Sequence, residues 1–320
     1  MQVSSVVASG LGTDLVTMLQ SPLMQRSFIA AILVGLSAPV VGTYLVHRRL
    51  AMLGDGIGHI ALTGVALGWL VGSWLNVAEP ESFAIPGAFV IAVLGAVTLE
   101  VIRIAGKTSS DVALAMLFYG GIAGGVLLIG VAGGTSSQLN SYLFGSIATV
   151  TTTDIWSTVA LAAFILLVGV GLSPALYSVA NDEEFARSTG LPVNLLSLII
   201  ALLAAATVAV AMRVVGALLV SALMIVPVAI SQIVVRSFRA TMALAMGIGV
   251  VTTVVGLTFT YFYDLSPGAA IVVLAIAIYA LVFALRPIIE RVRGRRRVKV
   301  DPLHVMHPER EQKAVNEQVR

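Results

Sequence analysis

Asp55 and His59 stand one helical turn apart in LAMLGDGIGHIALTGVALGWLVG, a segment that is otherwise apolar. Side chains four residues apart share one face of a helix. Carboxylate oxygen with imidazole nitrogen suits a first-row divalent cation, Mn2+, Fe2+ or Zn2+ alike. Inside a bilayer such groups are expensive, and they line a pathway or a pocket by default. A structural alternative stands beside this one: Asp55 accepts a hydrogen bond from His59, or caps the helix that follows His47-Arg48-Arg49. From the residues alone both readings stay open.

The surroundings of the pair are those of a membrane. The chain has 320 residues, 58% of them hydrophobic and 11% charged, with a mean hydropathy of +1.00. A soluble domain carries about 25% charged residues, so this is an all-α polytopic membrane protein. It has no cysteine, which excludes a disulfide framework, an iron–sulfur cluster and a thiolate zinc site. Spans need about 20 apolar residues; nine candidates are 23–46, 54–75, 84–105, 112–131, 153–175, 194–212, 215–235, 240–263 and 267–285. An eight-span count follows if two of the weaker segments are partial. With nine, His47-Arg48-Arg49, Arg103 with Lys107, Arg187, Arg236 with Arg239 and the C-terminal basic run all fall on one side, leaving Arg26 and Arg213 as exceptions. The positive-inside rule then gives N-out and C-in.

The spans define a membrane domain over 23–285, preceded by an extracytoplasmic segment 1–22 and followed by a basic, polar cytoplasmic tail 286–320. Residues 1–22 lack a basic leader with a small-residue cleavage site, so no removable signal peptide is expected. In the tail, RPIIERVRGRRRVK holds seven of the 19 basic residues and suits an anionic membrane face. It is short and directly follows a span, so nucleic acid is not an expected partner. His304 and His307, three residues apart there, read as solvated. Gly64, Gly68 and Gly72, Gly120 with Gly124, and Gly121 with Gly125 read as helix-packing stripes. Pro39 and Pro227 should kink or break their spans. The apolar part of 136–152 is too short to cross, so that stretch is an interfacial or re-entrant element.

Gly106-Lys107-Thr108 invites a P-loop reading, but that loop needs a glycine at position 101, which is Val. ATP-driven work would therefore need a separate subunit. The loop 177–193, YSVANDEEFARSTGLPVN around it, can hold a short helix: Asn181 or Asp182 caps it, Glu184 supports its capping end, and Gly190 before Pro192 stops it. Glu184, Ala186 and Gly190 form E-x-A-x3-G, which resembles the docking signature of ABC importers. A capped loop helix is equally a common structural device.

Six separated blocks in order carry a family resemblance: FIAAILVGLSAPVVGTYLVHRRLAMLGDGIGHIALTGVALG, SSDVALAMLFYG, LNSYLFGSI, DEEFARSTGLPV, AMRVVGALLVSALMIVPVA and YFYDLSPGAAIVV. Together they resemble the integral-membrane subunit of bacterial metal-uptake ABC transporters, the manganese/zinc/iron permease family, from about Met24 to Arg286. The resemblance implies a permease with a type II importer fold and no catalytic activity of its own, in the bacterial inner membrane. It implies work as a homodimer within the lipid bilayer, with cytoplasmic ATPase subunits and an extracytoplasmic metal-binding protein. The cargo would be zinc or manganese, with iron as a further option, and no permanently bound cofactor is implied. Asp55 and His59 then become pathway ligands, four donors across a two-fold axis. The loop helix, with Glu183, Glu184, Ala186 and Gly190, becomes the ATPase-coupling element. The family often has Ser before the His and Pro four residues after it, where this chain has Gly58 and Thr63.

Lesser expectations concern other charges. Glu100 and Arg103, i and i+3, pair or snorkel; Asp111 is an N-terminal helix charge. Asp264 draws cations to the outer mouth or caps a turn. Met52 and Met224 offer soft contacts. The rival functions are a secondary metal carrier, which would tolerate changes at Glu184 and Gly190, and a membrane metalloprotease, for which no H-E-x-x-H motif exists.

Overall fold

Backbone amides in hydrocarbon must be satisfied within their own segment, so apolar runs of this length fold as helices. The computed structural model describes residues 16–77, 80–106, 109–132, 136–146, 152–212, 215–217, 219–263 and 265–287, and among these the regular structure is helical throughout. After a helical turn at 16–20 come α1 (Pro22–His47), α2 (Leu53–Trp74), a 3-10 turn (Pro80–Phe83), α3 (Ala84–Ala105) and α4 (Ser110–Val131). A nine-residue α5 (Ser136–Phe144) precedes α6 (Thr152–Gly171), α7 (Ser173–Asn181) and the loop helix α8 (Glu183–Ser188). The chain ends in α9 (Val193–Ala211), α10 (Val220–Val234), α11 (Phe238–Phe262) and α12 (Pro267–Ala284). Contacts divide the chain into two units, Met1–Val282 and Phe283–Arg320; of the second, 283–287 are described.

Seven of these helices, α1, α2, α3, α4, α9, α11 and α12, are long and apolar enough to cross a membrane. An eighth span arises if α6 and α7, bent by 71° at Leu172, count as one. Of the nine expected spans, 215–235 is the one that is not a single long helix among the described residues. There the apolar run does not form one helix: Gly216 takes φ +90, and α10 begins only at Val220, with 15 residues. Fifteen residues reach about 22 Å, short of the roughly 30 Å hydrocarbon core. Hydrophobicity alone cannot see such a break, because Val215, Ala217 and Val220 remain apolar and buried through it.

The break is held by its neighbours. The Ala217 N–H donates to the Tyr142 carbonyl at the end of α5 (2.8 Å), and Ser266 Oγ donates to the Phe144 carbonyl (3.0 Å). Thus α5, too short to span, seats its C-terminal end on the 215–217 stretch and on the entry to α12. Neither Pro39 nor Pro227 interrupts its helix.

Helix α2 is pinned against α3 and α4 through small residues. A Cβ on Gly64 would meet the Gly87 carbonyl at 2.5 Å and one on Gly72 the Pro80 carbonyl at 2.8 Å, so the Gly64, Gly68, Gly72 stripe packs on α3 and the turn before it. On α4, Gly121, Gly124 and Gly125 press against α2, while Gly120 faces open space. Thr63, at the position where the resembled family has proline, donates its hydroxyl to the Gly121 carbonyl (2.7 Å) and ties α2 to α4.

Candidate functional site

Helix α2 starts at Leu53 after Met52, with no side-chain cap, so Asp55 is not its N-cap. It lies in the first turn, where the unpaired backbone amides favour a carboxylate. Asp55, His59, Leu62, Ala66 and Trp69 follow at spacings of four, three, four and three, which makes one stripe along α2. His59 is only 4% exposed, and Phe118 of α4 stands edge-on to it with ring centroids 4.1 Å apart. Its Nδ1 has no hydrogen-bond partner, so the structural alternative in which that nitrogen bonds Asp55 is not what the protein adopts. At the far end of the stripe, buried Trp69 leans on Tyr142 (5.5 Å, 75°), and its Nε1 also lacks a partner. A buried polar atom left unpaired costs about 1–3 kcal/mol.

Two walls flank this stripe. Gly121 of α4 lies against the backbone of His59, where a Cβ would come within 2.5 Å of its carbonyl carbon. On the other side, a Cβ on Gly58 would meet the Ala217 carbonyl at 2.8 Å, and one on Gly54 would meet Ser221 Oγ at 3.0 Å. Ser221 is buried, and its hydroxyl too has no partner. Beside Asp55 opens a cavity of about 380 Å3 lined by Met52, Asp55, Asp111, Leu114, Ala115, Phe118 and Tyr119. Asp111 enters it from the first turn of α4, so two helix N-termini each bring a carboxylate to one cavity. Among the described residues no three His, Cys, Asp or Glu side chains come together as a metal cluster. A cation held by Asp55 and His59 alone would take most of its coordination from water or other oxygens, unlike a closed structural site.

The second charged region lies where α1, α3 and α8 converge. Arg103, in the last turn of α3, grips Glu100 (Nη2–Oε1 2.6 Å) and Glu183 (Nη1–Oε1 2.9 Å). Arg48, just past α1, pairs with the same Glu183 carboxylate and donates to Ser197 Oγ of α9 (3.1 Å). Burial alone would push the Glu183 carboxyl up; the Arg103 and Arg48 guanidiniums outweigh it and hold the group below its usual range. Glu183 therefore points into the protein.

The loop helix itself forms as its residues dictate. Asp182 is the cap, its carboxylate accepting from the Phe185 N–H (3.0 Å), while Asn181 ends α7. Gly190 takes φ +81, a conformation that glycine adopts without strain, and the Leu191 N–H returns to the Ala186 carbonyl (3.1 Å). Ala186 is buried, whereas Glu184, Phe185 and Arg187 face outward. A cavity of about 600 Å3 borders this helix, lined by Arg103, Glu183, Arg187 and the start of α9.

A family model described as the ABC 3 transport family matches residues 20–286. The chain belongs to the ABC 3 transport family. Its permease identity within that family agrees with its relatives. The manganese transport system membrane protein MntC of Halalkalibacterium halodurans is 31% identical over 82% of this chain and 87% of its own. The manganese import system permease protein ScaB of Streptococcus parasanguinis is 30% identical over 82% and 91%. Among solved structures, PsaBC from Streptococcus pneumoniae in complex with Fab superposes with a TM-score of 0.75 at 29% identity, covering 85% of this chain and 95% of that one. An inward-facing putative metal-chelate type ABC transporter shares the fold, with a TM-score of 0.52 at 19% identity over 82% and 86%. The ABC 3 chain is thus a multi-pass transport permease, not an enzyme.

Of the residues singled out in the sequence, Asp55 and His59 meet on one stripe, and Glu183 stands apart from Glu184. Asp264 lies outside the described residues, as do Lys107, Arg213, His304 and His307. The sequence did not point to Ser221, Phe118 or the cavity role of Asp111. Arg48 was visible only as a topology marker, yet it bonds three elements together.

Proposed function

We propose that this chain is the membrane-spanning subunit of an ATP-driven importer of a divalent transition metal, with manganese the leading cargo and zinc and iron the alternatives. One observation carries the reading. Asp55 and His59 share a helix face beside an open cavity, and the buried His59 Nδ1 stands without a partner. A protein that needed His59 only for packing would satisfy that nitrogen. The manganese assignment draws on the names of the MntC and ScaB relatives.

Two such chains form the working unit in the bacterial inner membrane, on this reading. Asp55 borders a cavity whose rim includes the exposed Met52 and Tyr119. A carboxylate facing lipid is costly, and a second copy laid over this opening would cover it and double the donor set to four. Alternating access then moves the ion past Asp55 and His59. Hydrolysis takes place on a separate cytoplasmic ATPase subunit that grips α8, and an extracytoplasmic binding protein delivers the ion. By the positive-inside rule, the basic residues at 47–49, 103, 187, 236 and 239 favour a cytoplasmic α8 side. With α10 as a short ninth traverse, the N-terminus is outside and the C-terminus inside.

The test is elemental analysis of metal-starved cells lacking this gene and complemented with wild type, Asp55→Ala or His59→Ala at matched membrane levels. Wild type should restore manganese while both variants fail. If wild type restores no metal with its partner subunits present, the importer reading is abandoned. If the variants restore metal as well as wild type does, the pair is not in the pathway.

A further inference from the structure

Serine and threonine in apolar helices normally satisfy their hydroxyls on the carbonyl one turn back. This protein does so repeatedly: Ser37 on Leu33, Thr43 on Pro39, Thr207 on Leu203 and, within α10 itself, Ser231 on Pro227, at 2.7–2.8 Å. Ser221 does not. It is 3% exposed, yet its Oγ has no partner. The cause lies in the chain break. Ser221 is the second residue of α10, so the carbonyl one turn back is that of Ala217, which lies in the irregular stretch before the helix. The break frees a hydroxyl that an intact span would have consumed.

That hydroxyl has a definite address. Ser221 lies against Gly54 and Ala217 lies against Gly58, at 3.0 and 2.8 Å from where their Cβ atoms would be. Gly54 and Gly58 immediately precede Asp55 and His59. Ser221 therefore stands at the level of Asp55, on the wall beside the stripe, and the absence of side chains at 54 and 58 lets that wall approach so closely. Two orphaned, buried polar atoms thus lie along this part of α2, the imidazole of its own His59 and the hydroxyl of Ser221 from α10. No additional His, Cys, Asp or Glu completes a three-residue cluster there among the described residues, so a further protein donor has to be of another kind.

We propose that the Ser221 hydroxyl is an additional oxygen donor to the cation that Asp55 and His59 hold, and that it favours a hard ion over a soft one. The proposal rests on the transport reading above. A neutral oxygen adds coordination without adding charge, and oxygen ligands suit manganese where sulfur ligands favour zinc and other soft ions. The test uses the whole transporter in metal-starved cells, with Ser221→Ala and Ser221→Cys at matched membrane levels and Asp55→Ala as reference. Uptake of manganese is measured with and without competing zinc or cadmium. Ser221→Ala should lower uptake at limiting manganese by at least about tenfold, the lower end of what losing even an outer-shell partner costs a metal site. Ser221→Cys, nearly the same size, should shift preference severalfold toward zinc and cadmium. Uptake by Ser221→Ala equal to wild type overturns the proposal. So does a Ser221→Cys protein whose metal preference is unchanged, because the serine then only fills space. If Asp55→Ala transports normally, the transport reading itself is what has failed.

Discussion

Two polar regions interrupt the apolar body of this protein, and they are built on opposite rules. Where α1, α3 and α8 converge, Glu100, Arg103, Glu183, Arg48 and Ser197 form one connected network in which each charge has a partner within bonding distance. Along α2, His59 Nδ1, Trp69 Nε1 and the adjacent Ser221 Oγ have none. Leaving three buried polar atoms unpaired costs several kcal/mol in a fold whose total stability is only about 5–15 kcal/mol. A paired cluster holds structure in place. An unpaired one keeps donors free for something that arrives later. The contrast separates residues whose loss should damage the fold from those whose loss should damage only traffic through it.

The largest expected effect tests the unpaired side. His59→Gln preserves volume and polarity but removes the imidazole nitrogen. Uptake of manganese should fall by at least the roughly 10–100-fold that removing an outer-shell partner costs a metal site, while detergent-phase stability stays within about 1 kcal/mol of wild type. The comparison breaks if the stability loss is the larger effect, because His59 would then be part of the framework.

On the paired side, Glu183→Ala strands two guanidiniums, one of which, Arg48, is 5% exposed. Breaking a fully buried pair costs about 3–5 kcal/mol; with Glu183 and Arg103 partly in solvent, we expect about 1–2 kcal/mol, read as a lowered Tm. A double-mutant cycle of Glu183→Ala with Arg103→Ala should show a coupling energy above about 0.5 kcal/mol. Additive losses would mean that the shared carboxylate is incidental.

The same carboxylate predicts a pH dependence. Its folded pKa is held below the ordinary glutamate value of about 4.3, so its contribution is fully present above that value and is lost as pH falls through the lower folded one. Wild type minus Glu183→Gln stability should therefore be flat from neutral pH to about pH 5 and shrink below about pH 4. A difference that grows on acidification would contradict the ion-pair assignment.

Much of this contrast could be read in the sequence, and the unread part has a physical reason. Hydropathy located most of the spans, and Asp182 through Gly190 spelled a capped, glycine-stopped helix, because caps and breakers act over a few residues. Asp55 and His59 were visible because ionisable groups are rare in apolar runs. Ser221 was invisible: serine is ordinary in membrane helices, and its free hydroxyl depends on a break that Gly216, among 30 glycines, did not announce. The inward turn of Glu183 was likewise hidden, since its partners lie 80 and 135 residues away.

Helix α8 carries both rules in six residues, which yields the smallest and sharpest prediction. Glu183 on its inner side is locked by Arg48 and Arg103, while Glu184, Phe185 and Arg187 on its outer side are exposed. Phe185 is 61% exposed in a charged loop, an apolar knob where water is the alternative neighbour. Phe185→Ala and Glu184→Ala should leave stability within about 0.5 kcal/mol, as surface changes generally do. If α8 docks into an ATPase subunit, those same variants should lower co-purification of that subunit, because a central aromatic anchor dominates such interfaces. Glu183→Gln should retain the subunit, since its carboxylate already faces the membrane domain. The reverse pattern, retention without Phe185 and loss with Glu183→Gln, would move the docking surface to the inner side and dissolve the division between the helix's two faces.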